Sequence, residues 1–184
     1  MFIKSWGEAC DEWRNMPQEL PISYQLLPIH FYILLHLKKA GVDYANMMAK
    51  MTELDVFLIK DAINDLLEAG LIERDSGSAV KRSKARFKKA FEVHKHHTYY
   101  RLSRKGELFL RSINEEWVKR YFTKLFSRYD IVHMLAKSSD FQEACKKLGK
   151  ECETLRNELI LHRFITPSGK KTQFFKLFSA FLEL

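Results

Sequence analysis

Apolar residues recur along the first part of the chain with the spacing of amphipathic helices. Residues 29–40, "IHFYILLHLKKA", predict a buried helix that ends at Gly41, and "YANMMAKMTE" predicts a short second helix. In "LDVFLIKDAINDLLEAG", Asp55 is a good N-cap for a third helix, which ends at Gly70. The apolar positions of this helix form one wide face and are Leu58, Ile59, Ala62, Ile63, Leu66 and Leu67.

After Gly70 the pattern changes from helical to extended. "LIERD" predicts a short strand, and "HTYYRLS", rich in β-branched and aromatic residues, predicts a returning strand. One long helix is then expected from a Ser103 N-cap to about residue 127. Three helices followed by a two-stranded hairpin are typical of a winged helix-turn-helix, in which the third helix is the recognition helix and the hairpin is the wing.

Two motifs in this region resemble winged-helix regulators of the MarR and PadR type. "LDVFLIKDAINDLLEAGLIERD" is similar to their recognition helix and first wing strand, where a helix ending L-x-x-x-G-L-I runs into the wing. "YYRLSRKGELFL" is similar to the segment after the wing, whose usual form is Y-x-L-T-x-x-G-x-x-L. The resemblance covers roughly residues 29–113 and implies a DNA-binding homodimer. One departure is Glu53, at the position between two helices where Gly is usual.

The last third of the chain repeats this plan in a shorter form. "YDIVHMLAKS" predicts a helix, and "DFQEACKKLGKECETLRNEL" matches the helix-turn-helix pattern, with Gly149 taking the positive φ of the turn. "RFITPSGKKTQFFKLF" predicts a strand, a tight turn at "PSGK" and a second strand, which would form a second wing. The expected fold class is therefore mainly α with small β-hairpin wings (α+β), as a tandem winged helix-turn-helix. The predicted parts are an N-terminal helix (1–20), winged helix domain 1 (21–113), a connecting helix (114–127) and winged helix domain 2 (128–184).

Most of the excess positive charge lies in the predicted first wing. The 184-residue chain has a net charge of +8, and residues 81–97, "KRSKARFKKAFEVHKHH", hold seven Lys or Arg against Glu92 alone, a net +6. Clustered cations of this kind suit contact with nucleic-acid phosphates. The predicted nucleic-acid-binding residues are Lys81, Arg82, Lys84, Arg86, Lys88, Lys89 and Lys95 in the wing, and Lys60, Asn64, Lys150, Arg156, Lys170 and Lys171 elsewhere.

The recognition helix itself has a different charge. Four acids, Asp55, Asp61, Asp65 and Glu68, stand against Lys60 alone in residues 55–68. The leading hypothesis is a transcriptional regulator that binds double-stranded DNA with its basic wing and one or both recognition helices. The main alternative is a winged-helix scaffold that binds a protein partner through exposed Val56 and Phe57, and a third is an RNA-binding factor.

No catalytic, metal or cofactor motif is present. The chain has no glycine-rich phosphate loop, no GxSxG, no HExxH and no CxxC, so we do not expect an enzyme or a cofactor. His94, His96 and His97 have no Cys or carboxylate cluster beside them and are not expected to bind a metal.

The cysteines and apolar runs bear on the compartment. Cys10, Cys145 and Cys152 form no disulfide framework by number or spacing, which favours a reducing, cytoplasmic setting. Cys145 is expected at a helix crossing, and a redox pair with Cys152 is the alternative. The apolar run "IHFYILLHL" is far below the ~18 residues of a membrane span, and no secretory signal is recognisable, so no membrane association is expected.

Overall fold

The computed structural model describes residues 26–75, 97–149 and 152–183. In these ranges the fold is mainly α-helical with a small three-stranded antiparallel sheet, which agrees with the predicted α+β class. The N-terminal helix predicted within residues 1–20 and almost all of the basic segment 81–97 lie outside the described residues.

The three helices predicted in the first part of the chain are present. Their bounds are Pro28–Ala40 (α1), Ala45–Thr52 (α2) and Val56–Glu68 (α3). α1 ends at Gly41, whose φ of 79° suits a residue without a Cβ. Asp55 caps α3 as predicted, because its Oδ1 accepts the backbone N–H of Phe57 at 2.7 Å.

The sheet contains both predicted strands and one that was not predicted. The strands are Asp43–Tyr44 (β1), Ile72–Asp75 (β2) and Tyr99–Leu102 (β3), in the order β1-β3-β2. β2 and β3 are antiparallel, with Asp75 opposite Tyr99, so the segment between them joins two adjacent strand ends. β1 escaped prediction because two residues are too few to show an alternating pattern.

The long helix predicted from Ser103 is in fact two helices. Arg104–Ser112 (α4) and Glu115–Phe126 (α5) are separated by Ile113, whose ψ of 122° is extended. Asn114 starts α5 as an N-cap, its Oδ1 accepting the N–H of Trp117 at 2.8 Å. The sequence N-E-E contains this start signal, because acids favour the first turn of a helix.

The second wing prediction was wrong beyond its turn. The helices predicted in this part of the chain are present as Asp130–Ala136 (α6), Phe141–Leu148 (α7) and Cys152–Leu161 (α8). After α8, Ile165 and Lys171 form an isolated bridge across the "PSGK" turn, and the expected second strand is instead the helix Gln173–Phe181 (α9). Thr172 caps α9 by accepting the N–H of Phe175 at 3.0 Å.

The two parts of the chain share one core. α9 packs against α1, where Phe31 meets Phe178 at 5.9 Å and Tyr32 meets Phe174 at 5.5 Å between ring centroids. Trp117 of α5 adds an edge-on contact with Phe31 at 5.3 Å. Burial and the nearby charge of Asp43 raise the pKa of Tyr32 to about 12, so its hydroxyl stays protonated. Phe31, Tyr32, Phe174 and Phe178 are all almost inaccessible to solvent.

Candidate nucleic-acid interface

The turn between α2 and α3 has the left-handed backbone of a helix-turn-helix, although Glu53 stands at the position where Gly is usual. Glu53 adopts φ 58° and ψ 24°, the left-handed conformation that the usual Gly would adopt without strain. The hydroxyl of Thr52 donates to the carbonyl of Met48 at 2.8 Å at the end of α2. The two helices therefore meet at a tight turn even though the turn residue is Glu53 and not Gly.

α3 presents one row of side chains to solvent. Phe57, Asp61, Asn64 and Glu68 follow one another at spacings of four, three and four residues, so they lie on one face. We call this row the α3 ridge. All four residues are exposed, and Phe57 has an exposed fraction of 69%. The opposite face is buried as predicted, except that Leu67 is half-buried and Leu58 remains 36% exposed.

Two of the predicted nucleic-acid contacts lie on or beside this ridge. Asn64 is part of it, and Lys60 is exposed next to it with its Nζ 5.5 Å from the centroid of the Phe57 ring. Val56 is half-buried. The predicted recognition helix is therefore open to a partner along its outer face.

Asp65, on the flank of the ridge, is tied to α1. Its Oδ2 lies 2.9 Å from Nε2 of His30, a buried residue whose Nδ1 accepts the backbone N–H of Leu27 at 3.0 Å. Since Nδ1 accepts, Nε2 is the nitrogen that donates to Asp65 in the neutral ring. Burial lowers the pKa of His30, and this outweighs the hydrogen bond and the charge of Asp65, which raise it. Asp65 is thus bonded to a buried histidine whose charged form is disfavoured by burial.

The second helix-turn-helix has the turn that the sequence predicts. Gly149 has φ 85°, and its N–H donates to the carbonyl of Cys145 at 3.0 Å. Asp140 caps α7 by accepting the N–H of Glu143 at 2.9 Å. The outer face of α8 includes exposed Asn157 and Leu161.

A disulfide crosses this turn, contrary to the expectation of no disulfide framework. Cys145 at the end of α7 and Cys152 at the start of α8 are joined, with 5.2 Å between their Cα atoms. The alternative raised from the sequence, a pair between these two residues, is therefore present. Composition missed it because the odd cysteine count hid a local pair seven residues apart.

Several cations of the second part are used inside the protein. Arg156 donates to the carbonyl of Pro167 at 2.8 Å, and Lys171 donates to the carbonyls of Ala136 at 3.2 Å and Ser138 at 2.6 Å. These contacts give both side chains a structural role in addition to the predicted one. Lys170 is exposed.

Lys146 and Lys147 are both exposed at the end of α7. Lys147 bonds Glu143 at 2.8 Å, and this contact together with the backbone N–H of Ser139 lowers the pKa of Glu143 to about 2. Lys146, which precedes α8 in the chain, and Lys170, which follows it, are therefore exposed cations of this part.

Eight of the predicted contacts lie outside the described residues. They are Lys81, Arg82, Lys84, Arg86, Lys88, Lys89, Lys95 and Lys150.

The end of the sheet from which the basic segment leaves has an aromatic group that was not predicted. The rings of Tyr44 and His97 stack at 4.5 Å, and Tyr99 meets Tyr44 edge-on at 5.3 Å. Burial is the main cause that raises the pKa of Tyr99. The group depends on the pairing of Tyr44 with Tyr99, and β1, the strand that contains Tyr44, is not predicted from the sequence.

The part of the chain that the structure describes has no cluster of metal-binding side chains and no helix suited to crossing a membrane. There, His, Cys, Asp and Glu form no group of three or more that is suited to a metal ion, while His94 and His96 lie outside it. Each helix in the described ranges is too short or too polar to cross a bilayer.

Comparison with known proteins gives one match. Residues 24–113 match the model of a family described as an uncharacterized protein conserved in archaea (DUF2250). The match is just under half of the chain and extends from before α1 to the end of α4. No curated protein and no solved structure matches the chain.

Proposed function

We propose that this protein is a winged helix-turn-helix DNA-binding protein of the MarR/PadR-like type, acting as a transcriptional regulator. The observation that carries the proposal is the pairing of Asp75 with Tyr99 at the end of the hairpin. Residues 76–96, which include all but one residue of the +6 segment 81–97, connect these two strand ends. A basic connection at this position corresponds to a wing, which would lie along the phosphate backbone.

The choice of groove helix is supported by charge. The α3 ridge contains Asp61 and Glu68, which phosphates would repel. α8 presents exposed Asn157, an amide that can pair with adenine, and its acid Glu158 is half-buried. Lys146, which precedes α8 in the chain, and Lys170, which follows it, are exposed cations. We therefore assign the major groove to α8 and the backbone to the basic segment. The homodimer implied by the MarR resemblance is part of the same proposal.

The test is binding to random duplex DNA, measured by fluorescence anisotropy across a salt series. The wing variant replaces six cations with Ala: Lys81, Arg82, Lys84, Arg86, Lys88 and Lys89. The matched control removes six exposed cations elsewhere: Lys38, Arg104, Arg111, Arg120, Lys124 and Lys176. Each phosphate contact contributes about 0.9 to the slope of log K against log salt, so the wing variant should lose up to about 5 from this slope.

The outcome separates the proposal from its rivals. Weaker DNA binding with a smaller salt slope in the wing variant supports phosphate contact by the basic segment, provided that the control variant stays close to wild type. Equal losses in both variants, or no binding near physiological salt, would instead favour a protein scaffold. A parallel series with duplex RNA of the same length distinguishes an RNA-binding factor.

A second function is favoured by one observation. Phe57 is 69% exposed at the start of α3, and aromatic side chains are frequent anchors of protein–protein interfaces. This supports the scaffold alternative for α3 specifically, and it does not conflict with DNA contact through the basic segment and α8.

A further inference from the structure

We propose that the outer face of α3 is a docking site for a basic amphipathic segment of a partner protein, and that it does not enter DNA. This goes beyond the proposed function, because it assigns a separate partner to the first helix-turn-helix. The segment would place one apolar anchor on Phe57 and its Lys or Arg side chains along Asp61 and Glu68.

The apolar part of the site is the side chain of Phe57. It is 69% exposed at the N-terminal end of α3, on the same face as Asp61 and Glu68. Lys60 is exposed beside it, with its Nζ 5.5 Å from the centroid of the Phe57 ring. Aromatic residues contribute most to binding at protein interfaces, so Phe57 is the expected anchor point.

The charged part of the site extends from Phe57 along the helix. Phe57 and Glu68 are eleven residues apart on one face, a distance of about 16 Å along the helix axis. Asp61 lies between them, and Asp65 stands on the flank, bonded to His30. The site is therefore aromatic at its N-terminal end, and its three acids outnumber the single cation Lys60.

Charge selects the occupant. Phosphates would be repelled by Asp61 and Glu68, which disfavours DNA. A second copy meeting this face through a two-fold axis would bring the same acids together, which disfavours a symmetric dimer here. A basic segment about three helical turns long, with an apolar residue at one end, satisfies both parts of the site.

The test uses the full chain and a fluorescein-labelled 14-residue amphipathic peptide of Leu and Lys, followed by anisotropy at about 0.15 M salt. Two control peptides are used: one in which Glu replaces Lys, and one in which Ser replaces Leu at unchanged charge. We expect the Leu/Lys peptide to bind at least tenfold more tightly than either control. Binding of the Ser/Lys peptide at equal strength would overturn the proposal, because charge alone would then explain the contact.

Variants locate the site. Phe57→Ala should weaken the Leu/Lys peptide at least tenfold, and Asp61→Asn with Glu68→Gln should weaken it and flatten its salt dependence. Leu161→Ala, at an exposed leucine of α8, should leave peptide binding unchanged. Because all these side chains are exposed, the folded structure should persist, which circular dichroism and the urea midpoint verify. An equal loss in Leu161→Ala, or no loss in Phe57→Ala, would contradict the site.

The same variants distinguish this inference from the proposed function. Phe57→Ala should leave the anisotropy of duplex DNA unchanged if α8 and the basic segment make the DNA contacts. If Phe57→Ala weakens DNA binding and leaves peptide binding intact, α3 is the groove helix and the docking proposal fails. Sedimentation velocity provides the remaining check, because self-association that Phe57→Ala abolishes would show that the occupant is a second copy.

Discussion

Gly106 lies so close to Leu71 that a Cβ at position 106 would overlap the carbonyl oxygen of Leu71. This contact joins the first turn of α4 to Leu71, which lies between α3 and β2. It is reinforced by Ser103, whose hydroxyl donates to the carbonyl of Gly70 at 2.6 Å and accepts the N–H of Gly106 at 3.0 Å. The glycine in "YYRLSRKG" is therefore required by packing.

Gly106→Ala should lower the free energy of unfolding. The obstacle is backbone, which cannot rotate away as a side chain can, so we expect a loss at the upper end of about 1–3 kcal/mol. Urea unfolding followed by circular dichroism measures it. Arg104→Ala, at an exposed position of the same turn, should change stability by less than about 0.5 kcal/mol. A Gly106→Ala protein as stable as wild type would show that α4 can move away from the sheet.

Glu53→Gly should raise the free energy of unfolding. Glu53 has φ 58°, and the left-handed conformation costs a residue with a side chain about 1–2 kcal/mol. Gly removes this strain, but the greater conformational entropy of Gly in the unfolded chain offsets part of the gain. We expect a net gain of about 0.5–1 kcal/mol. Lys60→Gly in the exposed interior of α3 is the matched control and should lose about 1 kcal/mol. Equal losses in both variants would mean that the turn is unstrained.

His30 should make stability fall in mild acid. Its pKa is lowered by burial in the folded state, so below the ordinary value of 6.5 the unfolded chain binds more protons than the folded one. Stability is therefore complete above pH 6.5 and is lost as the pH falls towards the folded pKa, by up to about 1.4 kcal/mol per pH unit. His162, whose pKa burial also lowers, acts in the same direction.

The measurement for His30 is urea unfolding at pH 8.0 and 5.5. His30→Gln keeps a hydrogen-bonding side chain without a titrating ring, so this variant should lose less stability than wild type between the two pH values. The comparison at pH 8.0 gives the cost of the substitution itself. An identical pH dependence in the two proteins would show that His30 is protonated without penalty in the fold.

Reduction of the disulfide between Cys145 and Cys152 should destabilise the second helix-turn-helix. For a loop of this length, loop-closure entropy predicts a contribution of about 2 kcal/mol. Unfolding with and without dithiothreitol measures it, with Cys145→Ser as the control that should no longer respond to the reductant. Thiol titration in denaturant should find one free thiol among the three cysteines before reduction and three afterwards. Three thiols before reduction would contradict the bond.

The predicted elements held where local signals and tertiary packing agreed. α3 has a strong N-cap, a wide apolar face and a terminal Gly, and it forms as expected. A strand was predicted for part of "QFFKLFSAF" because aromatic residues favour strands, but the segment is a helix. Phe174, Phe175 and Phe178 also have helical spacing. Contact with α1 decides between the two, and that contact is not visible in a short segment.

The candidate site was predictable in part. Exposure of Phe57 and Lys60 follows from the helical period once the buried face is known. The internal contacts of Arg156 and Lys171 were not predictable, because their carbonyl partners at residues 167, 136 and 138 are brought near only by the fold. The sequence therefore shows where a cation is, and only the fold shows whether its side chain donates to backbone carbonyls of the protein itself.

The contact of α9 with α1 has a consequence for how this protein tolerates rearrangement. The last helix of the chain completes the core around Phe31 and Tyr32 of the first described helix. A chain truncated before Gln173 would leave those rings uncovered, so the segment up to residue 113 is not an autonomous module that can be grafted alone. Any change that separates the two helix-turn-helix units must first supply a substitute for α9.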